Sequence, residues 1–576
     1  MIERCRAALR TGVPMLLLTA CGPEPGEPST TSDDATTSTG ITTDATASTT
    51  AVEPTTTDAP TTTDAPTTTD ALPVDCLEGD VDIREHDTEA AIAALAGVEC
   101  ITGFLSILNV DRPDLKGLES LRQVGGYLDI SQSEFVSLAG LENLERVGHL
   151  GITLDSALTD ISALANLQEI TGGGLNLSGV PITGLPFHNL THIAGSVTIH
   201  HTALTSLAGL DALASIGGHL DITFNHALTS LAGLGSLASV GEFMLVRHDP
   251  ELLDLSGLAA LTDIGERLEI EDNDALQTLG ELPLAAVGGD LRIVDNDALQ
   301  TLGALALGSV GGDLELAGND ALADLAGFES LTTIGAALEI QDNDALAAAA
   351  GFPALASVGT VAVEFNGALT ELAGFDALVA VETLRIYGNA ALTKVAGFDA
   401  LTSSPGCVEI ADNDALTTLA AFPKLQQIRR IDLVDNPALA SLVGLGQLET
   451  VDERLTLSAL AITDLSDLAS LRSAALDIRV NPALASLAGL EGLESAQFVA
   501  VDFNPALTSV AALQIGVGGS LATTESLSIV GNEALATCGA VAVPEAMTVM
   551  PTILCILGNE ADVCPDIDEN CLVATP

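Results

Sequence analysis

The stretch DNDALQTLG occurs twice, as Asp272–Gly280 and Asp295–Gly303, with starts 23 residues apart. Each copy holds an Asp-Asn-Asp triplet, Asp272-Asn273-Asp274 and Asp295-Asn296-Asp297, and Asp342-Asn343-Asp344 and Asp412-Asn413-Asp414 repeat it. Carboxylates in such a pattern could hold calcium, which takes clustered carboxylate and carbonyl oxygens. If the copies stack, like carboxylates stand roughly 5 Å apart, a repulsion near ~1 kcal/mol per pair in water that a cation would relieve. Asp272, Asp274, Asp295, Asp297, Asp342 and Asp344 are therefore the calcium candidates, and no other cofactor is expected. The chain lacks the EF-hand and glycine-rich RTX patterns, so a solvated acidic edge is the competing and favoured reading.

Histidines offer a second chemistry. All nine fall between His86 and His248, and His200, His201, His226 and His248 recur near one corner of successive repeats. Imidazoles so spaced could bind zinc or nickel, although scattered surface histidines explain them as well. Catalysis finds less support. Parallel β-helices that act on polysaccharides use carboxylates with basic residues and aromatic platforms. Here the basic residues are scattered, aromatics are 3% and Trp is absent. No Ser-His-Asp arrangement stands out, and an enzyme is not expected.

What must position these residues is a repeat. From Val81 on, an apolar-x-apolar triplet is followed by Asn or Asp, then Leu-x-x-Leu, a Gly and a second apolar pair, as in Leu268-Glu269-Ile270, Asn273, Leu276, Leu279, Leu284 and Val287. Twenty triplets, including one placed at Phe243, start mostly 21 to 25 residues apart. A fixed period in this range means a solenoid whose units bury their faces only against neighbours. The alternating triplets read as short strands, and Gly, Asn and Asp break the rest into turns. The expectation is an all-β fold: a single long parallel β-helix of about twenty coils of ~23 residues, a rod of ~95 Å at the strand spacing. Leu, Ala and Gly dominate, which suits a core only a few side chains across. Asn273, Asn296, Asn319, Asn343, Asn366, Asn389, Asn413 and Asn436, continued by Asn481 and Asn504, mark one corner. Asn tolerates left-handed backbone, and its amide can bond the turns above and below, so these form a structural ladder.

CITGFLSILNV (Cys100–Val110), VGGYLDIS (Val124–Ser131) and the recurring L-x-I…L-x-x-L-x-x-L-x-x-I-G resemble the receptor L-domain family. The Asn-x-x-Leu spacing of Asn273 and Leu276 favours this type over ordinary leucine-rich repeats, which have Asn-x-Leu. The resemblance covers Cys76 to roughly residue 540. It implies a right-handed, leucine-rich-repeat-like β-helix that binds ligands, as in insulin-type and epidermal-growth-factor-type receptor ectodomains. The unbroken array is much longer than one receptor L domain, so receptor signalling is not implied. It also implies a staple between Cys76 and Cys100, one coil apart. Cys538, Cys555, Cys564 and Cys571 crowd the C-terminus and suggest two bridges, with three connectivities open; cysteines at solenoid ends fit disulfide caps over strand edges. Cys407 has no evident partner and reads as a small buried residue.

The first residues, MIERCRAALRTGVPMLLLTAC, have a basic start and an apolar run too short to span a bilayer, the layout of a secretory signal. Leu18-Thr19-Ala20-Cys21 resembles the lipobox of bacterial lipoproteins, which makes Cys21 the expected lipid attachment. Gly22 follows, without the Asp that retains enterobacterial lipoproteins at the inner membrane, so the outer membrane or cell surface is expected. Residues 22–72 include TTTDAPTTTDAPTTTDA and can bury no apolar area; they read as a disordered stalk of ~40 Å or more. The expected division is a signal peptide over 1–20, the lipidated stalk over 21–72, the solenoid over 73–540 and a Cys-rich cap over 541–576.

A formal charge of −60, with lysine only at 116, 394 and 424, repels nucleic acid and anionic membrane. The membrane is then reached only through lipid, and the expected partner is an extracellular protein or polymer met by an acidic adhesion or binding surface. An envelope spacer without a ligand is the alternative. Irregular coils, Phe243–Leu253 and Gly172–His188, are where a ligand site would show.

Overall fold

The computed structural model describes residues 76–559, apart from 87, 515–518, 520, 546, 548–550 and 552. The signal segment, the stalk, Cys21, Cys564 and Cys571 lie outside the described residues.

Most triplets become strands because their outer two side chains are apolar and the middle one is not, the alternation that a half-buried pleat needs. Leu268–Glu271 pairs in parallel with Met244–Arg247 on one side and Leu291–Val294 on the other, Leu268 opposite Met244 and Leu291. The same in-register pairing runs from Val81–Arg84 to Ile553–Leu557. Two details depart from the sequence reading. The eighth strand starts at Met244, not Phe243, because Phe-Met-Leu-Val is apolar at every position and gives no alternation to fix the phase; Met244 and Val246 point inward. The last strand lies beyond residue 540, so the solenoid continues into the segment assigned to the cap.

A second ladder of two-residue strands precedes the main one, for example Ser215–Ile216 between His192–Ile193 and Ser239–Val240. The third face is strand only in places. Ala348–Ala349, Glu371–Leu372, Lys394–Val395 and Thr418–Leu419 form one short sheet, and Glu281–Leu282 pairs with Ala304–Leu305. Elsewhere this side turns, or winds into short 3₁₀ segments such as Ser256–Leu258. Two short helices stand at the ends of the array, Thr88–Ala94 and Thr537–Glu545. The first lays Ile92 onto the core, joined just past its end by Leu95.

One continuous apolar core runs the length of the array, from Ile83 to Ile556. Burying each Leu, Ile or Val contributes about 1.5–3 kcal/mol, repeated coil by coil. Aromatics take more of this core than composition suggests. Phe328, Phe352, Phe375, Phe398 and Phe422 are buried in five successive coils, with ring centroids 5.4, 5.6, 5.1 and 5.5 Å apart. The first three pairs are near-parallel and the last is tilted by 40°; rings at this spacing add attraction beyond their area.

The ends are cross-linked. Cys76 and Cys100 form a disulfide between the paired strands Cys76–Leu77 and Cys100–Ile101. Cys555, on the last strand, is disulfide-bonded. So is Cys407, which corrects its reading as a lone buried thiol: it stands half-buried on the strand Ser403–Ala411 and does not lie in the apolar interior.

Candidate functional site

The Asp-Asn-Asp triplet resolves into three separate jobs. The first residue turns the corner with left-handed backbone, φ 53° at Asp272, 52° at Asp295 and 52° at Asp342. Asp and Asn reach this conformation at lower cost than most residues. The left-handed position is thus the residue before the ladder Asn, not the Asn itself. The second residue is fully buried, from Asn273 through Asn436 and again at Asn481, Asn504 and Asn532. Asn296 is typical: its Nδ2 donates to the Ile270 carbonyl at 2.9 Å and the Val294 carbonyl at 2.9 Å, and its Oδ1 accepts from the Asn273 N–H at 3.2 Å. The third residue, Asp274, Asp297 or Asp344, opens the next turn and is exposed.

The calcium candidates are therefore split between two positions, and Gly318, left-handed like its neighbours, breaks the run of carboxylates between Asp295 and Asp342. Among the described residues no group of three or more His, Cys, Asp or Glu side chains could hold a metal ion. The column still registers its own charge: burial, then the neighbouring Asp272, Asp297, Asp320 and Asp342, raise the Asp295 carboxyl above its usual range. The histidines likewise find separate partners. His200 meets Asp221 at 2.8 Å, and His248 meets Asp272 at 3.0 Å. His201 and His248 pack on either side of Phe224, with centroids at 4.9 and 4.4 Å, while His226 is exposed.

Two ladder positions carry carboxyls in place of amides, Asp155 and Asp249, both fully buried. Sequence reading missed them because an aspartate in an acidic chain reads as surface; their place five residues after a strand start was the available signal. Burial pushes the Asp155 carboxyl up to about 6 and the Asp249 carboxyl up to about 8.

The outward face of the main sheet is where the coils differ most. In its middle and C-terminal parts arginines bridge carboxylates of neighbouring coils. Arg292 meets Glu315 at 3.1 Å, Arg385 meets Glu364 at 3.2 Å and Glu409 at 3.6 Å, and Arg454 meets Asp432 at 3.4 Å. Glu409 and Asp432 are buried, so these pairs lock the face rather than present it. A depression bounded by Glu339, Glu364 and Arg385 lies there.

The N-terminal part is different. The position before each strand carries Phe104, Tyr127, His149, Gly174, Ser196, His219, Phe243 and Arg267 in successive coils. Tyr127 is 62% exposed and meets His149 edge-on, centroids 5.3 Å apart. His219 stacks on Phe243 at 4.4 Å, and the Arg267 guanidinium lies 5.7 Å from the Phe243 ring. Phe104, Tyr127, Asp129, His149, Gly151 and Asn176 line an open depression of about 280 Å³. The irregular segment 172–188 supplies its far wall through Asn176; Phe243–Leu253, which holds Phe243 and the buried Asp249, lies further along the array and outside the depression.

Fold and face together define the class: a parallel β-solenoid of about twenty coils with an Asn-laddered corner and an aromatic-bearing sheet face at its N-terminal part. No family model matches the chain, and no curated protein matches it. Similar solved structures include a TLR13–ssRNA13 complex, 13% identical over 79% of this chain and 84% of that one, TM-score 0.22. An internalin (inlF) from Listeria monocytogenes is 18% identical over 72% of this chain and 88% of that one, TM-score 0.19. A leucine-rich repeat protein from Bacteroides thetaiotaomicron is 12% identical over 74% of this chain and 52% of that one, TM-score 0.26. At these scores the likenesses carry no argument about shape or function.

Proposed function

We propose that the protein is a bacterial envelope lipoprotein, held through Cys21 and displayed on its Thr/Pro stalk at the outer membrane or cell surface. Its L-domain-like solenoid binds an extracellular protein or polymer through the outward sheet face of its N-terminal coils. One observation carries this reading: that face exposes Tyr127 with Phe104 and His149 beside it and, four coils further on, stacks His219 on Phe243, while the later coils close the same face with ion pairs. Exposed aromatic side chains are the usual anchors of recognition surfaces, and a spacer has no use for them. The net charge of −60 directs the partner away from nucleic acid.

The test is an array of extracellular polymers and proteins probed with the full chain, in wild-type form and as two double variants. Tyr127→Ala/Phe243→Ala should lose binding at least about tenfold, one or more anchor contacts at roughly 1.4 kcal/mol per decade. Phe365→Ala/Val480→Ala, exposed on the left-handed column, should bind as wild type. An array without binding, or binding that survives the first double variant, contradicts the proposal.

A further inference from the structure

The depression around Gly151 has a construction that the later coils lack. On the outward position of its strand, Gly151 stands between Asp129 and Asn176, which pair with it on the two flanking coils. A side chain there would point into the depression: the nearest atoms to a Cβ built on Gly151 are the Asp129 Oδ1 at 3.2 Å and the His149 ring. The glycine therefore leaves space between two hydrogen-bonding side chains.

Around that floor the groups are complementary in kind. Tyr127 supplies an exposed aromatic edge, with Phe104 beside it. His149 is held as the neutral ring, since burial lowers its affinity for a proton and its Nδ1 accepts the Gly174 N–H at 2.9 Å. Its Nε2–H is then left as a donor on the side of Asp129 and Gly151. The Asp129 carboxylate offers acceptors. The Asn176 Oδ1 is buried without a hydrogen-bond partner, an acceptor waiting for a donor. No Lys or Arg lines the depression, which removes phosphate and carboxylate ligands from consideration.

We infer that this depression is a saccharide subsite that takes one neutral pyranose ring of a longer glycan. The inference rests on the recognition face proposed above and names its ligand class. A pyranose has an apolar C–H face for the aromatic wall and vicinal hydroxyls that donate to Asp129 and Asn176 while accepting from His149. At about 280 Å³ the space sits near the lower bound of roughly 300 Å³ for small-molecule pockets, enough for one ring rather than a chain segment. The rest of the glycan continues over the open sheet.

The chain has no Trp and only two tyrosines, Tyr127 and Tyr387, so intrinsic fluorescence reports on the site directly. In the full chain carrying Tyr387→Phe, Tyr127 emission is titrated with cellohexaose, maltohexaose and chitohexaose, each to about 10 mM, a range suited to weak single-ring contacts. A saturable change with at least one of them is expected. It should be lost on adding Gly151→Val, which fills the floor, and weakened at least about tenfold by Asp129→Asn, with the melting temperature of each variant unchanged. If Gly151→Val lowers the melting temperature, the Asp129→Asn titration decides alone. No saturable change with any of the three, or binding indifferent to both substitutions, overturns the assignment. Array binding that still needs Tyr127 and Phe243 while all three oligosaccharides fail would overturn the saccharide subsite and leave the recognition face standing.

Discussion

Asn366→Ala lowers stability by roughly 3–5 kcal/mol and unlocks the solenoid at its middle. The amide of Asn366 accepts from the Asn343 N–H and Nδ2, both at 3.2 Å, and donates to the carbonyls of Ile340 at 2.9 Å and Glu364 at 3.0 Å. Truncation leaves the Ile340 carbonyl and the Asn343 N–H inside the coil stack without the amide, while the Glu364 carbonyl keeps the Asp342 N–H at 3.2 Å. Each abandoned buried polar group costs about 1–3 kcal/mol, and bonds aligned along a column polarise one another. Units of a solenoid are stabilised by their neighbours, so the damage stays local. The expected signature is a lower unfolding midpoint together with new proteolytic cleavage close to residue 366. A loss below about 1 kcal/mol, or no new cleavage there, would show that the ladder is ornamental. Val110, Val180 and Leu460 hold the same position in other coils, which tells that a coil can be built without the amide; it does not tell that one built around the amide can lose it.

The opposite sign is expected at Asp249. Its N–H donates to the Asn273 Oδ1 at 3.1 Å, and its Oδ1 accepts the Asn225 N–H at 2.6 Å, as a ladder amide would. Its Oδ2 has no partner and occupies the place where the neighbouring asparagines carry Nδ2, which by the column's pattern faces the carbonyls of Ile222 and Arg247. An ionised oxygen there meets only negative dipoles; a protonated one can donate. Burial accordingly raises the folded pKa to about 8, far above the unfolded value near 3.8. The sign of the linkage follows. Folding takes up a proton between these two values, so this residue's contribution is intact below about pH 4 and declines as pH rises to about 8. Asp249→Asn supplies the missing donor without a proton. The variant should match wild type near pH 4 and exceed it at pH 7 by on the order of 2–4 kcal/mol, after allowance for relaxation of the site. Unfolding midpoints across pH 4–8 check this. Parallel curves for the two proteins would refute a buried neutral acid.

The repeat, its period and the Asn column were legible because stacking forces the same residue type to recur wherever the same backbone groups must be paired. Asn273 through Asn436 are unavoidable in that sense. Less was legible where two positions share a chemistry. Asn could have been the left-handed residue, but Phe224, Val480 and Phe503 also adopt left-handed φ at the position before the ladder, so the coil geometry imposes it whatever the side chain. The phenylalanine stack escaped notice because 13 phenylalanines in the whole chain look sparse. Five of them, at 328, 352, 375, 398 and 422, recur 23 or 24 residues apart, four after Gly and one after Ala, and that spacing was the overlooked signal. The phase error at Phe243 arose where four apolar residues in a row erase the alternation. Of the saccharide depression only the irregular segment that carries Asn176 was legible. The depression is assembled from residues one to three periods apart, and its defining member, Gly151, is conspicuous only as a missing side chain between Asp129 and Asn176.

The central claim is that recognition happens on the outward sheet face of the N-terminal coils. The most direct measurement is hydrogen–deuterium exchange of the full chain, free and saturated with the strongest binder from the array. Protection is predicted on Gln123–Ser131, Arg146–Thr153 and Met244–Arg247, with the acidic corner around Asp295 and Asp342 unchanged. Protection confined to that corner, or to the ion-paired strands from Leu291 onward, would contradict the account.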